Sequence, residues 1–519
     1  MKNASSRHGR SAWLYPLAGV SSAIVLFTTA HAVSTFYATA SAPLVALGSA
    51  IIDFTPGWLK DLAINIFGTN DKLFLFGVLS VAAVLFAALI GRFARRSMAA
   101  ATIAVLILAA VLGVAVLSRS ATSLQDIVPT LIGTVLGLGT LKMLVALVPD
   151  SILPPEEGSA APAISRRRFM FAAAGSVAVG LLAAGSTQAL RGARNVAEMA
   201  RSALGLPPAK MKAAPLPSGA DMNIPGVSSF LTPSKDFYRI DTALSVPKID
   251  PQQWTLRIHG MVEEEYSLNF SDLLGMDLVE HYLTLTCVSN PVGGDLIGNA
   301  KWLGYPLRDL LARAKPLQGA DMVLSTSIDG FSASTPLEIL TDNRQALLAI
   351  GMNDEPLPLE HGFPARMVVP GLYGYVSATK WVVDLEVTRF QDKTAYWTTR
   401  GWSAKGPIKM SSRIETPRSF AKLPSGPIVF GGTAWSQHVG ISKVEISIDG
   451  GPWQEATLST DVSVDTWRQW RYEWKGAAPG NHTATVRATN SQGELQSEIT
   501  AAPAPNGSSG WHRLQFSVE

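Results

Sequence analysis

The feature that most constrains this chain is a series of long apolar stretches crowded into its first 190 residues. They lie at Trp13–Tyr37, Leu73–Ile90, Met98–Leu117, Ile127–Val148 and Phe169–Leu190, with Lys142 the one acidic or basic residue inside them. Each reaches the roughly 18–20 residues that a helix needs to cross ~30 Å of hydrocarbon. Lipid offers no partner to a backbone N–H or C=O, so such stretches must satisfy themselves as helices. Residues 1–190 therefore read as a membrane anchor of about five transmembrane helices. The stretch Ala42–Gly68 is also apolar, but Asp53, Pro56, Lys60 and Asp61 interrupt it, which predicts an interfacial or re-entrant segment on the outer side. Basic residues set orientation. Lys2, Arg7 and Arg10 keep the N-terminus inside, and Arg92, Arg95, Arg96 and Arg166–Arg168 mark the next inside loops. Five crossings place everything after Leu190 on the extracytoplasmic side of the plasma membrane.

The last basic cluster carries more than orientation. Ser165-Arg166-Arg167-Arg168-Phe169-Met170 followed by small apolar residues has the order of a twin-arginine export signal placed internally. That route carries folded proteins, often with a cofactor already inserted. Residues 191–225, with Pro207, Pro208, Pro215 and Pro217 and no sustained period, read as a linker. From there on the composition is that of a water-soluble protein. With 43 Lys+Arg against 40 Asp+Glu, nothing argues for nucleic acid as a partner.

Two domains follow the linker. Residues 226–400 mix strands (Trp254–Gly260, Tyr282–Cys287, Ala365–Gly371) with a helix at Tyr305–Ala314 that carries Leu307, Leu310 and Leu311 on one face, an α+β pattern. Residues 401–519 change to short alternating strands: Val444, Ile446 and Ile448 before an Asp-Gly-Gly turn, then Ala484, Val486 and Ala488, then Leu514, Phe516 and Val518. That is the pattern of an immunoglobulin-like sandwich, whose default work is scaffolding or dimerisation.

Cys287 is the only cysteine in 519 residues. A disulfide within the chain and a multi-cysteine zinc site are both excluded. A lone cysteine on an apolar strand that opens into Asn290, Gly293 and Gly294 is either a small buried hydrophobe or a thiolate acting as nucleophile or soft ligand.

Six blocks carry a resemblance: FYRID (Phe237–Asp241), LTCVSN…GNAKWLGYPLRDLL (Leu285–Leu311), HGFPARMVVPGLYGYVSATKW (His361–Trp381), YWTTRGW (Tyr396–Trp402), DTWRQW (Asp465–Trp470) and GWHRLQFSV (Gly510–Val518). Together they resemble the sulfite oxidase family of molybdopterin enzymes over both soluble domains. The resemblance implies that Cys287 is the protein ligand to molybdenum, with Asn290 and the two glycines letting the loop close around a molybdenum–molybdopterin cofactor. It implies cofactor-binding roles for Phe237, Tyr238, Arg239, Asp329, His361, Arg366, Ser377 and Lys380, with Arg239 beside the metal. It also implies that Arg468, from the sandwich, reaches over the pocket to bind an anion. One position departs from the pattern. Where sulfite oxidases place a tyrosine close to the metal, this chain has Trp402, and an indole cannot do what a phenol does.

The resemblance implies an oxidoreductase that moves an oxygen atom between water and substrate, with sulfite, protein-bound methionine sulfoxide and nitrate-like anions all open as substrates. A catalytically inactive scaffold on the same fold is the alternative. Of the eight histidines only His31 lies in an apolar stretch, so no bis-His haem is expected, and a thioether haem attachment needs a second cysteine. Electrons are therefore expected to pass through a separate partner, haem- or quinone-linked, and a homodimer through the sandwich is a further expectation.

Overall fold

The structure is a computed structural model that describes residues 12–37, 41–55, 71–118, 124–148, 161–193, 196–243 and 246–519. Two compact units emerge, a helical one in the first 195 residues and a larger one from Val196 onward.

In the helical unit the apolar stretches form the helices Leu14–Val33, Asp71–Ala94, Met98–Leu117, Val128–Ala146 and Ala161–Ala193. Four segments among the described residues are long and apolar enough to cross a membrane: Leu14–Phe36, Phe74–Ala94, Met98–Leu117 and Leu124–Ala146. The fifth stretch is not among them. It lies within Ala161–Ala193, which takes in Arg166–Arg168 instead of starting after them. Part of the segment expected at the interface is the helix Pro43–Phe54, while residues 56–68 fall outside the described residues, as do Lys2, Arg7 and Arg10. Small residues let these helices approach closely. A Cβ on Gly19 would stand 2.0 Å from Ala87 O, one on Gly91 would stand 2.1 Å from Tyr15 O, and Ser22 Oγ donates to Gly137 O at 2.7 Å.

The larger unit holds two β-structures. The first comprises β1 (Thr255–Gly260), β2 (Tyr266–Asn269), β3 (Val279–Thr286), β4 (Ile297–Pro306), β5 (Met322–Ser327), β6 (Ser332–Pro336), β7 (Leu347–Met352), β8 (Glu355–Pro356), β9 (Arg366–Val368) and β10 (Val382–Thr388). They make two sheets, β2-β1-β10-β5-β6 and β3-β4-β7-β8, with β9 paired to β7. The helix Leu307–Ala314 buries Leu307, Leu310 and Leu311, as its spacing predicts.

The second is the sandwich: β11 (Ser411–Thr416), β12 (Lys422–Leu423), β13 (Gly426–Trp435), β14 (Ile441–Ile448), β15 (Gln454–Glu455), β16 (Thr457–Leu458), β17 (Arg468–Ala477), β18 (Gly480–Asn490) and β19 (His512–Val518). One sheet runs β11-β13-β17-β16 and the other β12-β19-β18-β14-β15. Val444, Ile446, Ala484, Val486, Ala488, Leu514, Phe516 and Val518 all enter its core with Phe430 and Trp470. Alternation along each strand puts one face inward, and burying each large side chain contributes about 1.5–3 kcal/mol.

The linker expectation needs correction. Val196–Ala203 is a helix, and the chain beyond it lies along both β-structures instead of hanging free. Lys210 N donates to Leu278 O (2.8 Å), Glu280 N to Met211 O (2.9 Å) and Met222 N to Gln469 Oε1 (2.7 Å). Prolines hold such a segment extended, which exposes its backbone groups for pairing with the edge of β3.

Candidate functional site

Cys287 directly follows β3, at the start of the loop that returns the chain into β4. Its N–H donates to Leu296 O across the loop base (3.0 Å), and its carbonyl accepts Asn290 N–H (3.1 Å). The thiol is buried, which pushes its pKa up against a smaller opposing pull from Ser289. It lines a cleft whose empty space, counted with its open side, is ≈ 700 Å³.

The rest of the cleft comes from segments far apart in sequence. Phe237 and Tyr238 cross it, stacked at 5.3 Å, and Phe237 packs edge-on against Trp302 and His361. Gly298 makes room, since a Cβ there would stand 2.7 Å from the Phe237 ring. Burial raises the Tyr238 pKa, so its phenol keeps its proton at physiological pH.

Opposite stand the cations. Arg366 is buried, and its guanidinium donates to the carbonyls of His361 (3.1 Å), Ala378 (3.3 Å) and Met367 (3.4 Å). Among the described residues no carboxylate pairs with it, and burial lowers its pKa to about 10. Lys380 Nζ bonds Asp241 Oδ2 (2.8 Å) and Glu360 O (3.1 Å), and burial lowers its pKa to about 8 against the pull of Asp241. Asp241 also accepts from Arg239 Nε at 2.9 Å. His361 is held neutral, its pKa lowered to about 4 by burial and then by Arg366, and its ring N–H serves Ser234 O at 3.0 Å. Asp329 lines the cleft too, and burial raises its pKa.

Residues 243–397 match the family model described as "Oxidoreductase molybdopterin binding domain", and residues 411–486 match "Bacterial Ig domain". The uncharacterized oxidoreductase YuiH of Bacillus subtilis (strain 168) is 30% identical over 165 residues, covering 32% of this chain and 80% of that protein. Mitochondrial sulfite oxidase of Mus musculus is 28% identical over 341 residues, covering 56% of this chain and 62% of that protein. The chain belongs to the sulfite oxidase family of molybdopterin-dependent oxidoreductases. It spans less than two thirds of the mammalian sulfite oxidases it matches. Sulfane dehydrogenase SoxCD of Paracoccus pantotrophus aligns over 60% of this chain and 90% of that one, at 23% identity and a TM-score of 0.49.

The cleft fits the molybdenum cofactor that this family implies. The carbonyls around Arg366 satisfy its N–H groups but not its charge. A buried charge without a counter-ion is unfavourable by several kcal/mol, and the phosphate end of molybdopterin is such a counter-ion. Aromatic walls suit a flat pterin, and a single thiol suits a soft-ligand position on a metal otherwise held by the cofactor. No group of three or more His, Cys, Asp or Glu among the described residues could hold a metal alone.

Phe237, Tyr238, Cys287, Asp329, His361, Arg366 and Lys380 therefore share one cleft. Arg239 stands beside it with its side chain 42% exposed, joined through Asp241. Asn290 acts inside the loop, its Oδ1 accepting Leu296 N–H at 3.0 Å. Three expected residues are elsewhere. Ser377 turns its hydroxyl back onto the carbonyls of Tyr373 (3.0 Å) and Leu372 (3.3 Å), closing its own helical turn. Trp402 packs behind Tyr375, ring centres 5.9 Å apart, and Tyr375 is the residue that faces the cleft. Arg468 spends its guanidinium on Ser459 O (2.9 Å) and Ile441 O (2.8 Å) in the sandwich and does not line the cleft.

Sequence reasoning passed over Asp241 as a functional residue, although it stands in the FYRID block. Its carboxylate favours the charged form of Lys380 and so partly offsets the lowering by burial. A buried base with a lowered pKa binds fewer protons folded than unfolded between about 8 and 10.5, so it destabilises the fold most below that window, and this penalty fades as pH rises through it. Without Asp241 the Lys380 pKa drops further. In Asp241→Asn we expect pterin retention close to wild type at pH 6 and about tenfold weaker at pH 8, taking one unit as 1.36 kcal/mol. Retention that is equally weakened at both pH values would contradict this role.

Proposed function

We propose that this protein is a membrane-anchored, extracytoplasmic oxidoreductase that reduces a neutral sulfoxide-type substrate to a thioether, consuming two electrons and two protons and releasing water. The observation that carries the reading is the presence in one cleft of the buried Cys287 thiol and the buried Arg366 guanidinium, which has no carboxylate partner among the described residues. When bound, the molybdenum cofactor supplies a centre that exchanges an oxygen atom and two electrons. Arg366 and Lys380 would hold its anionic end, Phe237 and Tyr238 would line its binding site, and Cys287 would ligate the metal. Tyr238 keeps a phenolic proton with which to meet the substrate oxygen.

Two features favour a neutral substrate over sulfite or nitrate. Arg468 is committed to the sandwich, and Arg239 is turned onto Asp241, whose carboxylate it shares with Lys380. The open side of the cleft carries Ile240, 49% exposed, and half-buried Phe331, an apolar rim suited to a thioether carbon. Full-length protein loaded with cofactor should reduce a dialkyl sulfoxide with an artificial donor and oxidise sulfite at least about tenfold more slowly. Sulfite oxidation as the faster reaction would reverse the substrate assignment. Protein free of molybdenum and pterin after cofactor-replete expression would favour the inactive scaffold.

Electrons reach the site from a separate membrane or soluble partner in this reading. The order Ser165-Arg166-Arg167 supports export of the folded, loaded domains. Arg166→Lys with Arg167→Lys keeps the charge, so a mere topology flank tolerates it. We expect the catalytic unit of this variant to stay protease-protected in whole cells, and protease access equal to wild type would rule the signal out.

A further inference from the structure

We propose that the C-terminal sandwich is part of the mounting of the Cys287 ligand, with Ser508 and His512 as positioning residues that set the thiolate against the metal. The inference rests on the reading of Cys287 as the metal ligand. β3, which delivers Cys287, is an edge strand of its sheet, with β4 on one side and, on the other, the chain at Lys210 and Met211 paired only at its start. On its open side, three residues before the thiol, Thr284 is held by the sandwich. Thr284 N donates to Asp465 O (3.1 Å), Trp467 N donates to Thr284 Oγ1 (2.8 Å), and Gln437 Nε2 donates to Thr284 O.

Beyond the thiol the same domain takes hold again. Ser508 Oγ donates to Asn290 O at 2.7 Å, and Arg413 Nη1 donates to Gly294 O at 2.7 Å. Between these bonds Gly293, at φ +78°, lies against the His512 ring so closely that a Cβ would stand 2.3 Å from it. The ring is oriented by Ile414 N–H, which donates to His512 Nδ1 at 3.0 Å. The loop's own bonds, such as Leu296 N–H to Asn290 Oδ1, tie it to itself and to the foot of the hairpin. Its placement over the cleft is set by side chains from a domain more than 100 residues away in sequence. An outer contact that fixes a ligand's direction tunes the metal without touching it.

The test uses the cofactor-loaded full chain, the EPR spectrum of the one-electron-reduced metal and its reduction potential. Ser508→Ala and His512→Ala should keep molybdenum and pterin at wild-type stoichiometry while shifting both the g values and the potential. Ser442→Ala, which removes a comparable sandwich bond to Asn490 O at 2.6 Å far from the loop, should shift neither. Unchanged spectra and potentials in the two loop-facing variants, or equal shifts in Ser442→Ala, would overturn the proposal. If His512→Ala fails to fold, Ser508→Ala, which deletes a single bond, decides alone. Cys287→Ser separates the two readings: a spectrum unaffected by that change removes the ligand assignment itself, whereas a spectrum altered by it but by neither loop-facing variant removes only the role of the sandwich.

Discussion

Replacing Cys287 with serine is expected to abolish turnover while leaving a folded protein that still holds pterin. The side chain is 8% exposed and lines a cleft, so exchanging sulfur for oxygen buries a hydroxyl at a cost of about 1–3 kcal/mol, which a domain of ordinary stability withstands. The contacts of Arg366, Lys380, Phe237 and Tyr238 do not involve the thiol and persist. A serine hydroxyl stays protonated and is a hard, weak donor, so the metal would lose the protein ligand proposed for it. Loss of a partner that merely supports a ligand lowers metal affinity or activity roughly 10–100-fold, and loss of the ligand itself should exceed that. Turnover, molybdenum content and pterin fluorescence measured on the same preparation check the three parts separately. Activity within tenfold of wild type would dismiss Cys287 as the ligand.

Arg366→Met should release the cofactor and barely disturb the empty fold. In the bound state the guanidinium is expected to make charge-assisted hydrogen bonds to an anion, each contributing about 1.5–3 kcal/mol. Losing two of them weakens retention by at least about 100-fold. In the empty state the balance differs. The carbonyls of His361 and Ala378 lose a donor, but a buried charge with no carboxylate partner disappears as well, and the two changes largely offset. We therefore expect a melting temperature within a few degrees of wild type without cofactor, and no further rise when cofactor is supplied. A variant that melts early yet retains wild-type pterin would show that Arg366 serves the fold alone.

How far the site was legible follows from which contacts are local. The helix Leu307–Ala314 and the alternating strands β14, β18 and β19 could be read because a face repeats every 3.6 or 2 residues along the chain itself. His361 and Arg366 stand five residues apart across a short turn into β9, and they enter the same cleft. Ser377 belongs to the same block, yet its hydroxyl closes a helical turn, because a short hydroxyl near backbone carbonyls finds them first. Trp402 and Arg468 missed the cleft for a related reason. Which way a side chain points depends on the strand register and packing around it, and Arg468 sits in β17 where Ser459 and Ile441 of neighbouring segments claim its donors.

By itself the sequence determined the elements of this protein: apolar stretches too long for anything but helices, an α+β domain, a sandwich, and one thiol at the end of a strand. Periodicity, hydrophobic length and residue chemistry are properties of neighbouring residues, so they survive without coordinates. Only the tertiary structure decided that Asp241, already bonded to Arg239, meets Lys380 across 139 residues, that Arg366 is buried with no carboxylate beside it among the described residues, and that the sandwich holds the chain on both sides of Cys287. Those are meetings of distant segments, set by how sheets stack and which strand edges are left open, and a buried charge reveals what it lacks only when all its neighbours are in place.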